Sequence, residues 1–213
     1  MTICTTIRQW ALAWTTAGFL ALGLAGAASA QAKIDAHGSP NAFVEAVGEQ
    51  ILDVLRKEPP AQRTNLHRIN ELVNQYVMPY VHLAKTTRLA AGRYWNQATP
   101  QQQKDLIEAF KGTLIRTYSG ALADFDPRLK LTIHPFRGDP ESDDAVVRST
   151  LTQGGKPPVD VGYRLERTPE GWKIYDLNVE GIWLIQNYRN QFADQISKHG
   201  VQGLIDALNQ QNR

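Results

Sequence analysis

The sequence predicts an α+β fold in which a four-stranded, twisted antiparallel sheet packs with about six helices. Apolar residues recur at helical spacing through residues 40–118 and again after residue 182. Between them, residues 129–179 contain four short stretches in which apolar and polar side chains alternate. Because helical and alternating stretches form separate blocks joined by short turns, the pattern favours an antiparallel sheet of hairpins.

The first helix is predicted at residues 40–57. Ser39 is a preferred N-cap residue, and Pro40 suits the first helical position because its φ angle is already fixed. Pro59 and Pro60 end this helix, since proline has no backbone N–H to continue the hydrogen-bond ladder.

Three more helices are predicted before the sheet. The second covers residues 66–77 and the third, a short one, residues 80–91. The fourth is the strongest, because Thr99 and Gln102 form a capping box around Pro100. Its apolar stripe consists of Leu106, Phe110, Leu114 and Tyr118.

The four strands follow from alternation with a period of two, and each is separated from the next by turn residues. Gly154 and Gly155 mark the second turn, and Gly171 marks the third. The strands are predicted at residues 129–133, 145–152, 159–166 and 172–179.

Two helices are predicted after the sheet, at residues 182–198 and 201–211. Gly200 separates them, because glycine commonly ends a helix. One face of the longer helix is apolar, with Ile185, Tyr188, Phe192 and Ile196.

The composition excludes several classes of protein. The 23 Lys and Arg residues nearly balance the 21 Asp and Glu residues, whereas most nucleic-acid binders have a strong basic excess. A hydrophobic share of 42% is too high for general disorder. The one cysteine, Cys4, leaves little room for thiol or thiolate–metal chemistry.

Residues 1–30 are typical of a secretory signal peptide. Arg8 precedes an uncharged run rich in Ala and Leu, and residues 28–30, Ala-Ser-Ala, offer small side chains at a cleavage site. The alternative, an uncleaved anchor, usually has a longer apolar run. Removing 30 of the 213 residues leaves 183, and we expect residues 31–213 to form one domain without disulfides.

The sequence contains no motif for catalysis or metal binding. Its five histidines lack the i, i+4 spacing of a helical zinc site, and no nucleophile elbow, P-loop or dinucleotide motif is present. The acidic residues at 139–144 lack the central Gly of a calcium loop and are typical of a solvated turn. The apolar faces fit either a filled core or a cavity for a hydrophobic ligand, and the pattern does not distinguish the two.

Several segments together resemble a known family. They are residues 78–81 (MPYV), 88–95 (RLAAGRYW), 98–103 (ATPQQQ), 176–181 (DLNVEG) and 187–192 (NYRNQF). In order and spacing they resemble the MlaC family, the periplasmic phospholipid-binding or toluene-tolerance family, over residues 40–208.

The resemblance implies a periplasmic carrier rather than an enzyme. Family members hold the acyl tails of a diacyl phospholipid in an apolar cavity between sheet and helices, as cargo and not as a cofactor. They exchange lipid with an outer-membrane lipoprotein–porin complex and with an inner-membrane ABC transporter that has an MCE-domain subunit. The pathway maintains outer-membrane lipid asymmetry. We therefore expect a monomer that binds neither metal nor nucleic acid.

The lipid-binding side chains are expected on the apolar faces of strands and helices. The candidates are Leu114, Tyr118, Val159, Val161, Tyr163, Ile174, Val179, Ile182, Leu184 and Tyr188. Ile182 follows the Glu-Gly pair where the resemblance places a pocket wall. Trp183 departs from the family pattern, which has a small residue there, and its ring would narrow the mouth or alter lipid preference.

Three other hypotheses stay open at this point. One is a carrier of another lipid, such as a hopanoid. A second is an enzyme that uses a pocket in an α+β fold, and a third is a partner-binding module with a filled core. The lipid that co-purifies, turnover of that lipid, and an empty or filled pocket would separate them.

Overall fold

The structure is a computed structural model, and it describes residues 34–213. The predicted signal peptide, residues 1–30, lies outside the described residues. Within residues 34–213 the chain forms five α-helices and five strands. In order they are α1 (Pro40–Lys57), α2 (Leu66–Tyr76), α3 (Leu83–Ala91), α4 (Pro100–Ala123), β1 (Lys130–Ile133), β2 (Asp144–Thr152), β3 (Val159–Thr168), β4 (Gly171–Val179), β5 (Ile182–Trp183) and α5 (Leu184–Gln211).

Helices α1 and α4 begin at the residues that the sequence predicts. The Ser39 hydroxyl accepts a hydrogen bond from the Ala42 N–H at 3.2 Å. Thr99 and Gln102 cap α4 reciprocally, each side chain accepting from the other's backbone N–H, at 3.2 and 3.0 Å. These caps supply partners for amides that have none within the first helical turn.

The third helix begins later than predicted. Met78–Tyr80 form a 3-10 turn, and Val81 pairs with Ile174 of β4 as an isolated bridge. The His82 N–H then donates to the Ile174 carbonyl oxygen at 2.8 Å. These bonds to the sheet hold residues 78–82 outside the helix, which therefore begins at Leu83.

The sheet is antiparallel throughout, with the strands in sequence order. Strands β1 to β4 confirm the four predicted strands, but the prediction missed β5. Glu180 and Gly181 both have positive φ angles, 50° and 89°. Such angles suit the two-residue turns that connect tight hairpins. Residues 182 and 183 therefore return along β4 as a short strand, and α5 begins at Leu184.

The last two predicted helices are the two segments of α5, and Gly200 separates them as predicted. That residue has φ 68° and ψ 177°, outside the helical region. Glycine adopts this conformation without the steric cost that a Cβ atom would cause. With α1 to α4, the two segments of α5 give the six helical segments that the sequence predicts over the described residues.

The core consists of two clusters of buried side chains. In the first, Phe43 and Val47 of α1 pack against the sheet through Val147, Leu165 and Trp172. The second joins α3, α4 and α5, and its buried members include Ala90, Leu106, Phe110, Tyr188, Phe192 and Leu204. We call these the sheet cluster and the helix cluster.

Candidate functional site

The two faces of the sheet carry different side chains. Strand pairing places Val161 opposite Val179, and Tyr163 opposite Leu177. These four apolar or aromatic side chains share the packed face, which α1 covers in part. Neighbouring positions such as Arg164 therefore belong to the outer face, since successive side chains in a strand alternate.

An apolar cavity of about 370 Å³ lies at the end of the packed face, beside the β4–β5 hairpin. This volume is within the range of ligand pockets, roughly 300–1,000 Å³. We call it the hairpin cavity. It is lined by Tyr118, Leu177, Val179, Glu180, Ile182, Leu184 and Asn187.

A second apolar cavity of about 110 Å³, the helix cavity, lies among α1, α2 and α4. Apart from Tyr76, its lining side chains are aliphatic. Leu122 lines this cavity, and Tyr118, one turn earlier in α4, lines the hairpin cavity. The two cavities therefore adjoin consecutive turns of one helix. The helix cavity is lined by Ile51, Val54, Leu55, Ile69, Leu72, Val73, Tyr76, Val77 and Leu122.

The rim of the hairpin cavity exposes apolar surface. Ile182 is 65% exposed, Tyr118 45% and Val179 37%. Partial burial raises the pKa of the Tyr118 phenol, so its hydroxyl is neutral over the physiological range. Grouped apolar surface at the mouth of a cavity is characteristic of a site that receives a ligand or a partner.

Four of the ten candidate side chains line the hairpin cavity: Tyr118, Val179, Ile182 and Leu184. The other six are buried or half-buried elsewhere. Val161 and Ile174 are buried in the packed face of the sheet, and Val159 is half-buried in β3. Leu114 packs against the helix cluster, of which Tyr188 is a member. The role of all ten as lipid contacts stays a prediction.

Tyr163, the remaining candidate, is half-buried on the packed face. Its hydroxyl lies 3.2 Å from the hydroxyl of Ser149, which is buried. Burial raises the pKa of the Tyr163 phenol, while the bond to Ser149 opposes that shift. Two neutral hydroxyls that bind each other can face apolar surroundings without an unsatisfied polar group.

Sequence reasoning missed the helix cavity and Leu177. Ile174 and Val179 are an odd number of residues apart in β4, so regular alternation would place their side chains on opposite faces of the sheet. A bulge shifts the register between Arg164 and Leu165, leaving Tyr175 without a Cα partner. An extra residue of this kind reverses the alternation. As a result Leu177, Val179 and Ile174 all belong to the packed face.

Trp183 does not narrow the mouth of the hairpin cavity. It lines a groove of about 1,000 Å³ on the outer face of the sheet, whereas its neighbour Ile182 lines the cavity. The indole ring lies under the Arg164 guanidinium, 3.8 Å from the ring centre. The groove carries charges of both signs, since Arg148 and Asp144 also line it.

Asp176 is the most buried carboxylate beside the hairpin cavity, with a fully buried side chain. One oxygen accepts hydrogen bonds from the backbone N–H groups of Leu177 and Ile185, both at 3.0 Å. The other accepts from Arg164 at 2.9 Å. Burial raises the pKa of this carboxyl, although the Ile185 N–H and the Arg164 charge favour the ionised form.

Residues 34–213 contain neither a cluster of metal ligands nor a membrane-spanning helix. No group of three or more His, Cys, Asp or Glu side chains there could hold a metal ion. None of the helices in that range combines the length and the apolar character needed to cross a membrane.

The fold and the cavities define the class: a small α+β protein with one apolar cavity among its helices and another between its helices and one end of an antiparallel sheet. The particular family follows from sequence comparison. The family described as MlaC protein matches residues 45–210, and the chain belongs to that family.

Two curated relatives are similar over most of the chain. The toluene tolerance protein ttg2D of Pseudomonas putida is 25% identical over 163 residues, which cover 76% of this chain and 75% of the relative. The intermembrane phospholipid transport system binding protein MlaC of Haemophilus influenzae is 17% identical over 175 residues. That alignment covers 81% of each chain.

A solved structure has the same fold and a closer sequence. It is the phospholipid-binding protein from Ralstonia solanacearum, determined in complex with a phospholipid at 1.53 Å resolution. It is 41% identical, with a TM-score of 0.78, and the match covers 82% of this chain and 97% of that one.

Proposed function

We propose that this protein is a periplasmic carrier of diacyl glycerophospholipid. The observation that carries the proposal is the 41% identical Ralstonia protein, whose structure contains a phospholipid. The apolar linings of the hairpin and helix cavities support it, because acyl tails need surfaces without unpaired polar groups. One tail would enter beside the β4–β5 hairpin, and the tails would part the side chains that separate the two cavities.

The physical advantage of such a carrier is large. Each methylene exposed to water costs about 0.8 kcal/mol, so two tails with roughly 30 methylenes would cost on the order of 20 kcal/mol. Free lipid would therefore cross an aqueous compartment very slowly. A cavity that covers the tails removes this barrier without catalytic chemistry, and the lipid is cargo rather than a cofactor.

The place of the carrier in transport is part of the same proposal. The predicted signal peptide at residues 1–30 would export the chain, and residues 31–213 would act as one monomeric domain in the periplasm. The carrier would exchange lipid between an outer-membrane lipoprotein–porin complex and an inner-membrane ABC transporter with an MCE-domain subunit. N-terminal sequencing of the exported protein would test the cleavage site, with Gln31 expected as the first residue.

Native mass spectrometry tests the function directly. Protein purified from the periplasm is expected to carry one diacyl glycerophospholipid, and delipidated protein is expected to take up lipid from liposomes. Extraction and profiling of the bound lipid distinguish a glycerophospholipid from a hopanoid. A protein that is empty as purified and takes up no lipid from liposomes would contradict the proposal.

A further inference from the structure

The β4–β5 hairpin is the wall of the hairpin cavity that is least anchored by the sheet. It supplies Val179 and Ile182 to the lining, and Leu184 follows directly at the start of α5. Strand β5 has only two residues, paired as Asn178 with Trp183 and Val179 with Ile182. So short a pairing is marginal by itself, and the wall needs further support to stay in place.

Asp176 supplies that support on one side. Through one oxygen its carboxylate joins β4, at Leu177, to the first turn of α5, at Ile185. Trp183, the N-cap residue of α5, makes no capping bond with its own side chain. Asp176 therefore replaces the missing cap from a neighbouring strand, and its negative charge suits the N-terminal end of a helix.

Arg164 extends the support to the other side of the hairpin. Its guanidinium binds the Asp176 carboxylate at 2.9 Å and lies over the Trp183 ring at 3.8 Å. Gly162 leaves room for this arrangement, since a Cβ atom there would lie 3.2 Å from the Asn178 Cβ and 3.6 Å from the Trp183 ring. The Arg164 guanidinium therefore contacts both the buried Asp176 carboxylate and β5, the strand that carries Ile182.

We propose that Asp176, Arg164 and Trp183 form a latch that positions the β4–β5 hairpin and so controls the release of lipid from the hairpin cavity. The inference rests on the proposed lipid-carrying function. The three side chains are positioning residues, because their mutual contacts lie on the outer face while the cavity lies on the packed face. Breaking the latch lets the hairpin open locally without unfolding the two core clusters.

Release of a fluorescent diacyl phosphatidylglycerol from loaded protein to excess acceptor liposomes tests the latch. Arg164→Met is expected to increase the first-order release rate about tenfold, since a charge-assisted hydrogen bond to a buried carboxylate is lost. Arg164→Lys keeps the charge and should restore part of the retention. The double variant Arg164→Met with Asp176→Asn should release no faster than the faster single variant, because both remove the same interaction.

Arg148→Met is the matched control. Arg148 lines the same groove, but its side chain makes no hydrogen bond or ion pair among residues 34–213. We therefore expect the Arg148→Met variant to release lipid at the wild-type rate. Trp183→Leu provides a second variant of the latch that leaves the buried carboxylate paired, and it should also speed release. Circular dichroism and thermal melting of the lipid-free variants show whether each is folded.

Release at the wild-type rate from folded Arg164→Met and Trp183→Leu would overturn the latch. Equal acceleration by Arg148→Met would also overturn it, because the effect would then reflect loss of positive charge from the outer face. Neither result affects the proposed function, which fails if the wild-type protein takes up no glycerophospholipid.

Discussion

The helix cluster and the region beside the β4–β5 hairpin use apolar side chains in opposite ways. In the helix cluster, the Phe110 ring meets Tyr188 at 4.7 Å and Phe192 at 4.9 Å, both edge to face. These three rings pack against one another between α4 and α5. The hairpin and helix cavities are lined mainly by aliphatic side chains, which leave volumes of about 370 and 110 Å³.

We expect the first region to contribute most to the stability of the fold and the second to hold the proposed ligand. An empty cavity of 110 Å³ costs roughly 2–3 kcal/mol, at about 24 cal/mol per Å³. The buried side chains of the helix cluster and the sheet cluster offset that cost. Predictions that separate stability from lipid retention therefore test the comparison.

The largest effect is expected from Phe110→Ala. Phe110 is fully buried and contacts two other rings, so its removal should lower the free energy of unfolding by about 3–5 kcal/mol. Urea denaturation of lipid-free protein measures this loss. Leu66→Ala, at a residue that is 39% exposed, serves as the control and should change stability far less. A loss below about 1 kcal/mol in Phe110→Ala would show that the cluster does not dominate stability.

Ile182→Glu should reduce lipid binding while leaving the stability of the fold nearly unchanged. Ile182 is 65% exposed, so the fold should survive, but a carboxylate at the rim makes the cavity unfavourable for an acyl tail. We expect bound lipid to fall about tenfold with little change in the urea midpoint. The control is Val146→Glu on the outer face, where Val146 is 44% exposed. Normal lipid content in Ile182→Glu would mean that Ile182 does not contact the bound lipid.

Leu72→Phe tests whether the helix cavity holds part of the lipid. The larger side chain would fill part of the 110 Å³ space, so the free energy of unfolding should stay the same or rise by up to about 1 kcal/mol. Lipid uptake from liposomes should fall several-fold. Phospholipid stoichiometry by mass spectrometry measures the effect. Wild-type uptake by a folded Leu72→Phe protein would restrict the lipid to the hairpin cavity.

The smallest effect is expected from Glu58→Gln. Glu58 follows α1, and its two carboxylate oxygens accept hydrogen bonds from Arg68 of α2 at 2.7 and 2.9 Å. These bonds hold the pKa of the buried Glu58 carboxyl below its ordinary value. Glu58 therefore stabilises the fold above its unfolded-state pKa of about 4.5, and this contribution disappears as pH falls through the lower, folded-state pKa.

Glu58→Gln should accordingly lower stability at pH 7 and flatten its decline as pH falls from about 5 through the lower, folded-state pKa of Glu58. Urea denaturation at several pH values measures this. Asp194→Asn breaks an exposed ion pair with Lys198 and provides the control, for which little change is expected. Parallel stability curves for wild type and Glu58→Gln over this pH range would contradict the assignment, because the pair would then contribute nothing.

Much of the fold could be predicted from local patterns. The caps at Ser39 and Thr99, the four long strands and the apolar face of α5 all depend on neighbours in the sequence. The prediction failed at β5 and at the start of α3, because both depend on contacts with β4. A two-residue strand is too short to show alternation.

The site was less accessible to prediction than the fold. Four candidates line the hairpin cavity, but the sequence showed no signal that Tyr188 would fill a helix cluster while Tyr118, on an adjoining helix, would line a cavity. Aromatic and aliphatic residues at helical spacing have the same pattern in both cases. The bulge that brings Leu177 and Val179 to the face of Ile174 also has no local sequence signature.

By itself, the sequence determined the order of the elements, their caps, the absence of a cysteine after residue 4, and the family resemblance that its segments carry. These depend on local chemistry and on the order of residues. Tertiary structure alone decided which apolar faces pack tightly and which leave cavities, and it brought Arg164, Asp176 and Trp183 together across three strands. Packing and long-range pairing depend on the relative positions of distant segments, and the spacing of residues along the chain does not specify those positions.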